Sequence, residues 1–349
     1  MWDACVCYEI ALDEERIVED GIYSLEKMYA FMDKAFEMND CRLEKIDGNM
    51  RVYVRSVDNK DLQCMWMAVK MFEESEWFET YACRYMFYIY DTENGEIEEE
   101  EDWLEECGIL KRRGFREHVK EITDNMKYVH EDVTRELLKK ASYQCIETDA
   151  FILYHKKSFD DYKKEMCLIS VSLEQHEMTQ VAALISLMQK NELSDSVGIA
   201  FLKPEKGKRE GVKSLVKLLK KAQKTFRAIV LDVTNTGWEE ECDFTVENCY
   251  LTKRMYKNLV SILHGGRSTW KIIPEDRQML KGILFDKKYF TKKLSRENEC
   301  DYYKECGVYS FSFCLPVKED IIKDGDVKID MDRLGWYMDK MTKFGKRKI

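Results

Sequence analysis

Carboxylates, lysines and glycines are concentrated in the stretch GIAFLKPEKGKREGVKSL, residues 198–215. An apolar segment leads into Pro204 and Glu205, Gly207 and Gly211 follow, and a lysine-rich helical pattern then begins. Residues of these types can form a phosphate-binding loop, a metal-binding loop, or a plain connection between a strand and a helix. The spacing of these residues decides among the three interpretations.

The phosphate-binding interpretation is disfavoured by the glycine spacing. A loop that wraps phosphates with its backbone N–H groups has four residues between its first glycine and a Gly-Lys-Ser/Thr triplet. Here three residues separate Gly207 from Gly211, and Val212 stands between Gly211 and Lys213. The backbone would therefore not close around a phosphate.

A metal-binding interpretation rests on side chains that follow apolar strand patterns. Glu174 and His176 follow MCLISVSL, and Asp232 lies near the end of RAIVLDVT. Because the carboxyl ends of parallel strands meet at one sheet edge, these three side chains could form a mononuclear metal site. A plain structural role for each of them remains the alternative.

The pattern of apolar residues predicts an α/β protein with two domains. Residues 1–95 read as a small α+β domain, with an antiparallel sheet that includes a hairpin at Asp47-Gly48 and carries helices. Residues 96–134 read as a charged helical connector, because four consecutive glutamates precede a basic segment. Residues 135–349 alternate strands and helices, which predicts a mostly parallel three-layer α/β domain.

Three further segments carry specific predictions. Residues 77–90 are so rich in aromatic side chains that we expect a helix apolar on several sides, which would bury more than one face. Residues 62–72 are expected to form a strand. A helix is expected to begin at Pro274, since proline suits the first turn.

Four stretches in the second half are similar to motifs of the zinc-dependent exopeptidase superfamily, the aminopeptidases and carboxypeptidases with two co-catalytic zinc ions. They are HEMTQVAALISL, FLKPEKGKREG, AIVLDVT and ECDYYKECGVYSFSFCLPV. In order they resemble the start of the helix with the bridging aspartate, the glutamate-glycine turn, the strand that ends in a ligand aspartate, and the final crossover to a strand ending in proline. The resemblance covers about residues 135–345 and leaves the N-terminal part unassigned.

The resemblance implies roles for particular residues. Glu205 matches the general-base glutamate, Asp232 matches a carboxylate ligand, and His176 stands where the bridging aspartate would be. Lys206 occupies the adjacent ligand position, and no histidine follows Pro316 where the last ligand is expected. The family pattern therefore implies at most the base and one ligand, with His176 and Asp232 as vestigial metal positions. Two zinc ions could not be held in the family manner.

The composition indicates the cellular compartment and the classes of partner to expect. Thirteen cysteines occur without a CxxC pair, which is typical of buried thiols in a reducing compartment. The first residues lack the pattern of a signal peptide, and no apolar run is long enough to span a membrane, so we expect a cytoplasmic protein without a membrane partner. A net charge of −10 argues against general nucleic-acid binding.

The favoured hypothesis is a catalytically degenerate zinc-exopeptidase-like protein that binds a protein partner or assembles with itself, without a cofactor. The alternative is a mononuclear-metal hydrolase, acting on peptides or amides, with Glu205 as general base and one divalent ion such as zinc. A second alternative is a nucleic-acid-associated factor, based on the lysine face of the helix over residues 211–224.

Overall fold

The computed structural model describes residues 4–57, 72, 75–91, 94–126, 130–139, 141–156, 166–264, 268–274, 297–318 and 331–346. Apart from Phe72 and Pro274 themselves, the predicted strand over 62–72 and the predicted helix after Pro274 lie outside these residues. The chain forms two compact units, Met1–Arg113 and Gly114–Ile349.

The first unit contains a five-stranded antiparallel sheet in the order β2-β3-β1-β4-β5. The elements are β1 (Ala4–Leu12), α1 (Glu14–Asp20), α2 (Leu25–Glu37), β2 (Arg42–Asp47), β3 (Met50–Val57), α3 (Glu76–Tyr81), β4 (Ala82–Asp91), β5 (Ile97–Asp102), α4 (Trp103–Glu106) and α5 (Ile109–Asn125). The predicted hairpin is present, with Gly48 and Asn49 between β2 and β3.

The core of this unit is largely aromatic. Helix α2 begins at Ser24, whose hydroxyl accepts the backbone N–H of Lys27, and its apolar stripe buries Phe36 against Tyr53, with ring centroids 4.0 Å apart. Phe87 of β4 stacks on Trp103 at 4.8 Å. Rings of this size bury much apolar area with little loss of rotamer freedom, which suits a small domain.

The prediction of a helix over residues 77–90 is wrong in its second half. Helix α3 ends at Tyr81, and β4 runs from Ala82 between β1 and β5. In a strand, successive side chains point to opposite faces, so Tyr85 and Phe87 join the core while Tyr88 and Tyr90 lie on the other face. Aromatic residues that would lie on all sides of a helix thus alternate between the two faces of a strand. Aromatic side chains also have a high propensity for strands.

The segment read as a charged connector, residues 96–134, contains a strand as well as helices. Residues 97–102 of the expected connector form β5, which pairs with β4. The boundary between the two units falls at Arg113 and Gly114, inside α5. The glutamate run had indicated a solvated segment, and it is solvated, but as a strand at the sheet edge.

The second unit contains an eight-stranded mixed sheet in the order β12-β11-β13-β10-β8-β9-β7-β6. Its elements after α5 are α6 (Glu131–Leu138), β6 (Gln144–Glu147), β7 (Phe151–His155), β8 (Met166–Ser172), α7 (Met178–Gln189), β9 (Val197–Leu202), α8 (Lys208–Lys221), β10 (Phe226–Thr234), β11 (Phe244–Tyr250), α9 (Lys253–Leu263), β12 (Trp270–Ile273), α10 (Glu299–Glu305), β13 (Ser310–Pro316) and α11 (Met331–Lys343). Short 3₁₀ turns precede α7 (Gln175–Glu177) and α8 (Pro204–Lys206).

Both faces of the central sheet are covered, which confirms the predicted three-layer α/β class. Strands β8, β9, β10 and β13 are buried along their whole length and pair in parallel with their neighbours in that group. Helices α7, α9 and α11 share a core with one face, and α8 and α10 share a core with the other. Continuous apolar strands are the pattern that such double coverage requires.

The twelve cysteines in the described part of the chain are all free thiols. Within those residues, no helix is long and apolar enough to cross a bilayer.

The turn after β10 requires a glycine at position 237. Gly237 has φ +92°, and a Cβ there would lie 2.8 Å from Thr245 Cγ2 and 3.2 Å from Cys242 Cβ. Gly307 has φ +72°, and a Cβ added there would meet open space. Both Gly→Ala substitutions carry the left-handed backbone cost of about 1–2 kcal/mol. Only Gly237→Ala should lose a further ~1–3 kcal/mol through overpacking. Equal losses in urea unfolding would contradict this steric argument.

A buried ion pair in the first unit gives a second prediction. Arg112 Nε and Nη2 donate to Glu79 Oε1 and Oε2 at 3.0 and 3.1 Å, and both side chains are more than nine-tenths buried. Glu79→Ala leaves a buried guanidinium without its carboxylate and should cost about 3–5 kcal/mol of unfolding free energy. Replacing both residues by Leu and Met should recover part of the loss.

The control for this pair is the exposed contact of Lys45 with Asp47 in β2. Asp47→Ala should leave the urea midpoint nearly unchanged, because solvent screens that pair. A Glu79→Ala loss no larger than that of Asp47→Ala would show that the buried pair is not needed for stability.

Candidate functional site: a lysine within a carboxylate cluster

Polar side chains collect where the carboxyl ends of β8, β9, β10 and β13 meet. Segment 174–177 follows β8, the start of α8 follows β9, Asp232 lies near the end of β10, and α10 begins at the same edge before the chain turns back into β13. The alternation of side chains along the strands directs Asp232 to the face covered by α8 and α10. In open α/β sheets, this edge is where ligand sites form.

Lys208 lies at the centre of this region. Its Nζ is 2.9 Å from Glu177 Oε1, 2.8 Å from Glu299 Oε1 and 3.1 Å from Glu174 Oε2. We call these three glutamates the carboxylate cage. Burial lowers the pKa of Lys208, but the charges of Glu177 and Glu299 outweigh it and hold the pKa above its usual value. The side chain is therefore an ammonium ion at neutral pH.

The local chain path explains how Lys208 reaches the cage. The 3₁₀ turn Pro204–Lys206 ends at Gly207, whose φ of +77° redirects the backbone into α8. Lys208 is the first residue of that helix. Glycine adopts this backbone conformation without steric cost, so Gly207 allows the sharp entry that places Lys208 at the sheet edge.

Two members of the cage are almost completely buried. Glu177 is inaccessible to solvent, and its Oε2 accepts the backbone N–H of Ser172 at 2.7 Å. Burial raises its pKa, which contacts with His176 and Lys208 partly offset. Glu299 is 1% exposed, and within the described residues neither of its oxygens accepts a well-aligned hydrogen bond. The Lys208 ammonium is thus its main counter-charge.

His176 lies on the solvent side of the cage. Its Nε2 is 3.3 Å from Glu174 Oε2 and 3.5 Å from Glu177 Oε1. The interaction with Glu177 raises the pKa of His176, against the effects of burial and of the Lys208 charge. The three side chains Glu174, His176 and Glu177 each offer an atom within 4.8 Å of the others, so they form a set of metal-type donors.

Asp232 is buried nearby but faces different partners. Its Oδ1 accepts the backbone N–H of Val233 at 2.8 Å, and its Oδ2 lies 3.3 Å from Asn298 Nδ2. Gln180 Nε2 donates to the Asp232 carbonyl oxygen at 2.8 Å. The charge of Asp232 raises the pKa of both Glu177 and Glu299. Asp232 therefore adds negative potential to the cage and is itself held by an amide.

The residues singled out from the sequence are only partly brought together. His176 and Glu174 touch, and Asp232 acts on the same cluster through its charge. Glu205 lies exposed on the turn before α8, where it lines a small cavity of about 20 Å³ with Glu131 and Lys203. In the part of the chain that the structure describes, Glu205 makes no contact with the cage.

Sequence reasoning missed Lys208, Glu177 and Glu299 as members of the site. Lys208 lies in the opening stretch, but it precedes the helix predicted over residues 211–224, and a lysine ammonium is not a metal ligand, so it received no role. A signal for Glu299 existed in the Asn298-x-x-Asp301 capping box, which marks a helix start and hence a sheet-edge position.

The two zinc ions that the family resemblance implies do not fit these residues. Three carboxylates that could bind a metal are engaged by the Lys208 ammonium, and Asp232 is engaged by Asn298. An ammonium ion has no lone pair to donate to a metal. The donor set is therefore already satisfied by a cation of the chain itself.

Comparisons with known proteins were made for the sequence and for the fold. No family model matches the sequence, and no curated protein matches it. Solved structures similar in fold include LapB from Legionella pneumophila, with 6% identity over 97% of this chain and 98% of that chain and a TM-score of 0.40.

Two peptidases are also among the similar structures. The aminopeptidase from Aneurinibacillus sp. strain AM-1 has 15% identity over 55% of this chain and 47% of its own, with a TM-score of 0.35. A metallo-carboxypeptidase from Burkholderia cenocepacia has 9% identity over 86% and 75%, with a TM-score of 0.34. At these identities and TM-scores, the likenesses carry no conclusion about this chain.

The buried cage predicts a dependence of stability on pH. Burial is the main cause that raises the pKa of Glu299 from 4.5 to about 8, and the charge of Glu177 adds to this effect. The folded chain then keeps a proton that the unfolded chain releases, so stability falls as the pH rises from about 4.5 to about 8. The Glu299→Gln side chain cannot ionise, so the unfolding free energy of this variant, measured with urea, should fall less as the pH rises. Glu305→Gln, exposed in the same helix, should keep the wild-type slope; parallel curves for all three proteins would contradict the argument.

Proposed function

We propose that this chain is a catalytically degenerate peptidase-like protein that acts by binding a protein partner or by assembling with itself. The observation that carries the proposal is the contact of the Lys208 ammonium with all three carboxylates of the cage. Metal-dependent hydrolysis needs a Lewis acid that polarises a carbonyl and lowers the pKa of a bound water. An ammonium fills the same electrostatic role toward carboxylates but cannot bind water as a metal does.

The position of Glu205 also supports the proposal. A general base must lie within hydrogen-bond reach of the water or substrate that it deprotonates. Glu205 is exposed on the 3₁₀ turn, while the buried polar groups of the sheet edge are Glu177, Asp232 and Glu299. The residue that would serve as base is thus separate from the groups that would orient a nucleophile.

The distribution of exposed apolar side chains supports a binding role. Of the nine large hydrophobic residues exposed in the described parts of the chain, eight lie in the first unit and one, Tyr309, in the second. Val18 and Ile22 are exposed by 71% and 72%. Single exposed apolar residues are ordinary, and this distribution favours the first unit over the second as the place of a contact surface.

The test combines metal analysis with activity. The full chain, purified without chelator, should contain far less than one zinc, manganese or cobalt ion per molecule by mass spectrometry. It should not hydrolyse aminoacyl or acyl-amino-acid substrates when any of these ions is added. Near-stoichiometric metal together with metal-dependent turnover would overturn the proposal in favour of a mononuclear hydrolase.

A matched pair of variants identifies the base if turnover is found. Glu205→Gln should abolish such turnover at unchanged melting temperature, whereas Glu210→Gln, on the exposed surface of α8, should not. Sedimentation velocity over a wide range of concentration then separates the modes of action. A sedimentation coefficient that rises with concentration, or a constant one that corresponds to an oligomer, indicates self-assembly, whereas a constant monomer value favours binding to a different protein.

A further inference from the structure

The polar cluster at the sheet edge holds more acidic than basic groups. Four carboxylates, Glu174, Glu177, Asp232 and Glu299, face two basic side chains, Lys208 and His176. Three of these carboxylates are buried by more than nine-tenths. Buried carboxylates are costly unless a cation or hydrogen bonds compensate them, so this edge of the sheet requires a positive charge.

The geometry around Lys208 Nζ is that of a cation position. Three carboxylate oxygens from three separate chain segments converge on it at 2.8–3.1 Å. The imidazole of His176 borders the same space through Glu174 and Glu177. A zinc ion binds carboxylate oxygen and imidazole nitrogen at about 2.0–2.2 Å, so the three carboxylate oxygens would need to move inward by about 1 Å or less.

Glu299 supplies the second, independent observation. It is 1% exposed, comes from a different helix than the other donors, and its oxygens have no aligned hydrogen bond among the described residues. Among the described residues, its one close counter-charge is the Lys208 ammonium, 2.8 Å from Oε1. If the ammonium is removed, Glu299 is left buried without a counter-charge, and a divalent cation that displaces its proton would be the group that satisfies it.

We infer that Lys208 is the built-in cation of a latent divalent-metal site, whose ligands are Glu174, His176, Glu177 and Glu299. The ammonium and a metal ion exclude each other from this position, because both would occupy the centre of the cage. One imidazole with three carboxylates is a donor set for a borderline ion such as zinc. The inference rests on the proposed function, since it explains how the chain dispenses with a metal at this edge.

The experiment replaces the ammonium and titrates zinc alone. Lys208→Met keeps a similar stem without the charge. By isothermal titration calorimetry of the full chain at neutral pH, this variant should bind one zinc ion at least ~100-fold more tightly than the wild type, because two cations placed together cost several kcal/mol. Zinc should also raise the melting temperature of the Lys208→Met variant and leave that of the wild type unchanged.

Two controls localise the effect. Lys213→Met removes a lysine from the exposed side of the same helix, where it pairs with Glu210, and should gain no zinc binding. Adding Glu299→Gln or His176→Gln to Lys208→Met should weaken the gained affinity by about 10- to 100-fold. Lys208→Gln, which keeps a hydrogen-bond donor in the cage, serves if the methionine variant does not fold.

The outcomes separate the inference from the proposed function. Folded Lys208→Met or Lys208→Gln protein that binds zinc no better than Lys213→Met overturns the inference and leaves the proposed function intact. Wild-type protein that carries zinc and hydrolyses substrate overturns the proposed function. If that zinc is bound with the affinity of the Lys208→Met variant and is lost on His176→Gln, the inference falls as well.

Discussion

The contact of the Lys208 ammonium with Glu174, Glu177 and Glu299 is the constraint on which the second unit depends most. Two of these carboxylates are withdrawn from water, and their burial would oppose folding if no cation met them. Lys208 comes from the start of α8, Glu177 from the turn after β8, and Glu299 from the start of α10. A single ion cluster therefore connects three segments that are distant in the chain and fixes the carboxyl edge of the sheet.

The same cluster determines what chemistry this edge can perform. Parallel strands direct their carboxyl ends, and the amino ends of the following helices, to one place, and this favours negatively charged or metal-bound groups there. In this chain the positive charge is covalently attached. A charge supplied by a side chain gives stability without a dissociable ion, but it offers neither an open coordination position nor an activated water. The proposed non-catalytic role rests on this difference between an ammonium and a metal ion.

The first unit is organised by a different force. Its core is packed from aromatic rings such as Phe36 on Tyr53 and Phe87 on Trp103. The buried pair of Glu79 with Arg112 joins α3 to α5 within this unit. Several of its large apolar side chains remain exposed. The two units thus differ: exposed large apolar side chains are concentrated in the first, and a mostly buried acidic cluster surrounds Lys208 in the second.

The sequence by itself determined the class of fold, because the period of the apolar residues is local. Continuous apolar runs such as MCLISVSL and VGIAFL are typical of strands covered on both faces, and helical patterns lie between them. It also placed Glu174, His176 and Asp232 at strand ends. It failed at residues 82–90, where aromatic residues satisfy a helical and a strand pattern alike, and only pairing with β1 and β5 decides. The meeting of Lys208 with Glu299 was decided by the tertiary structure alone, since Coulomb attraction depends on distance in space and no local pattern records it.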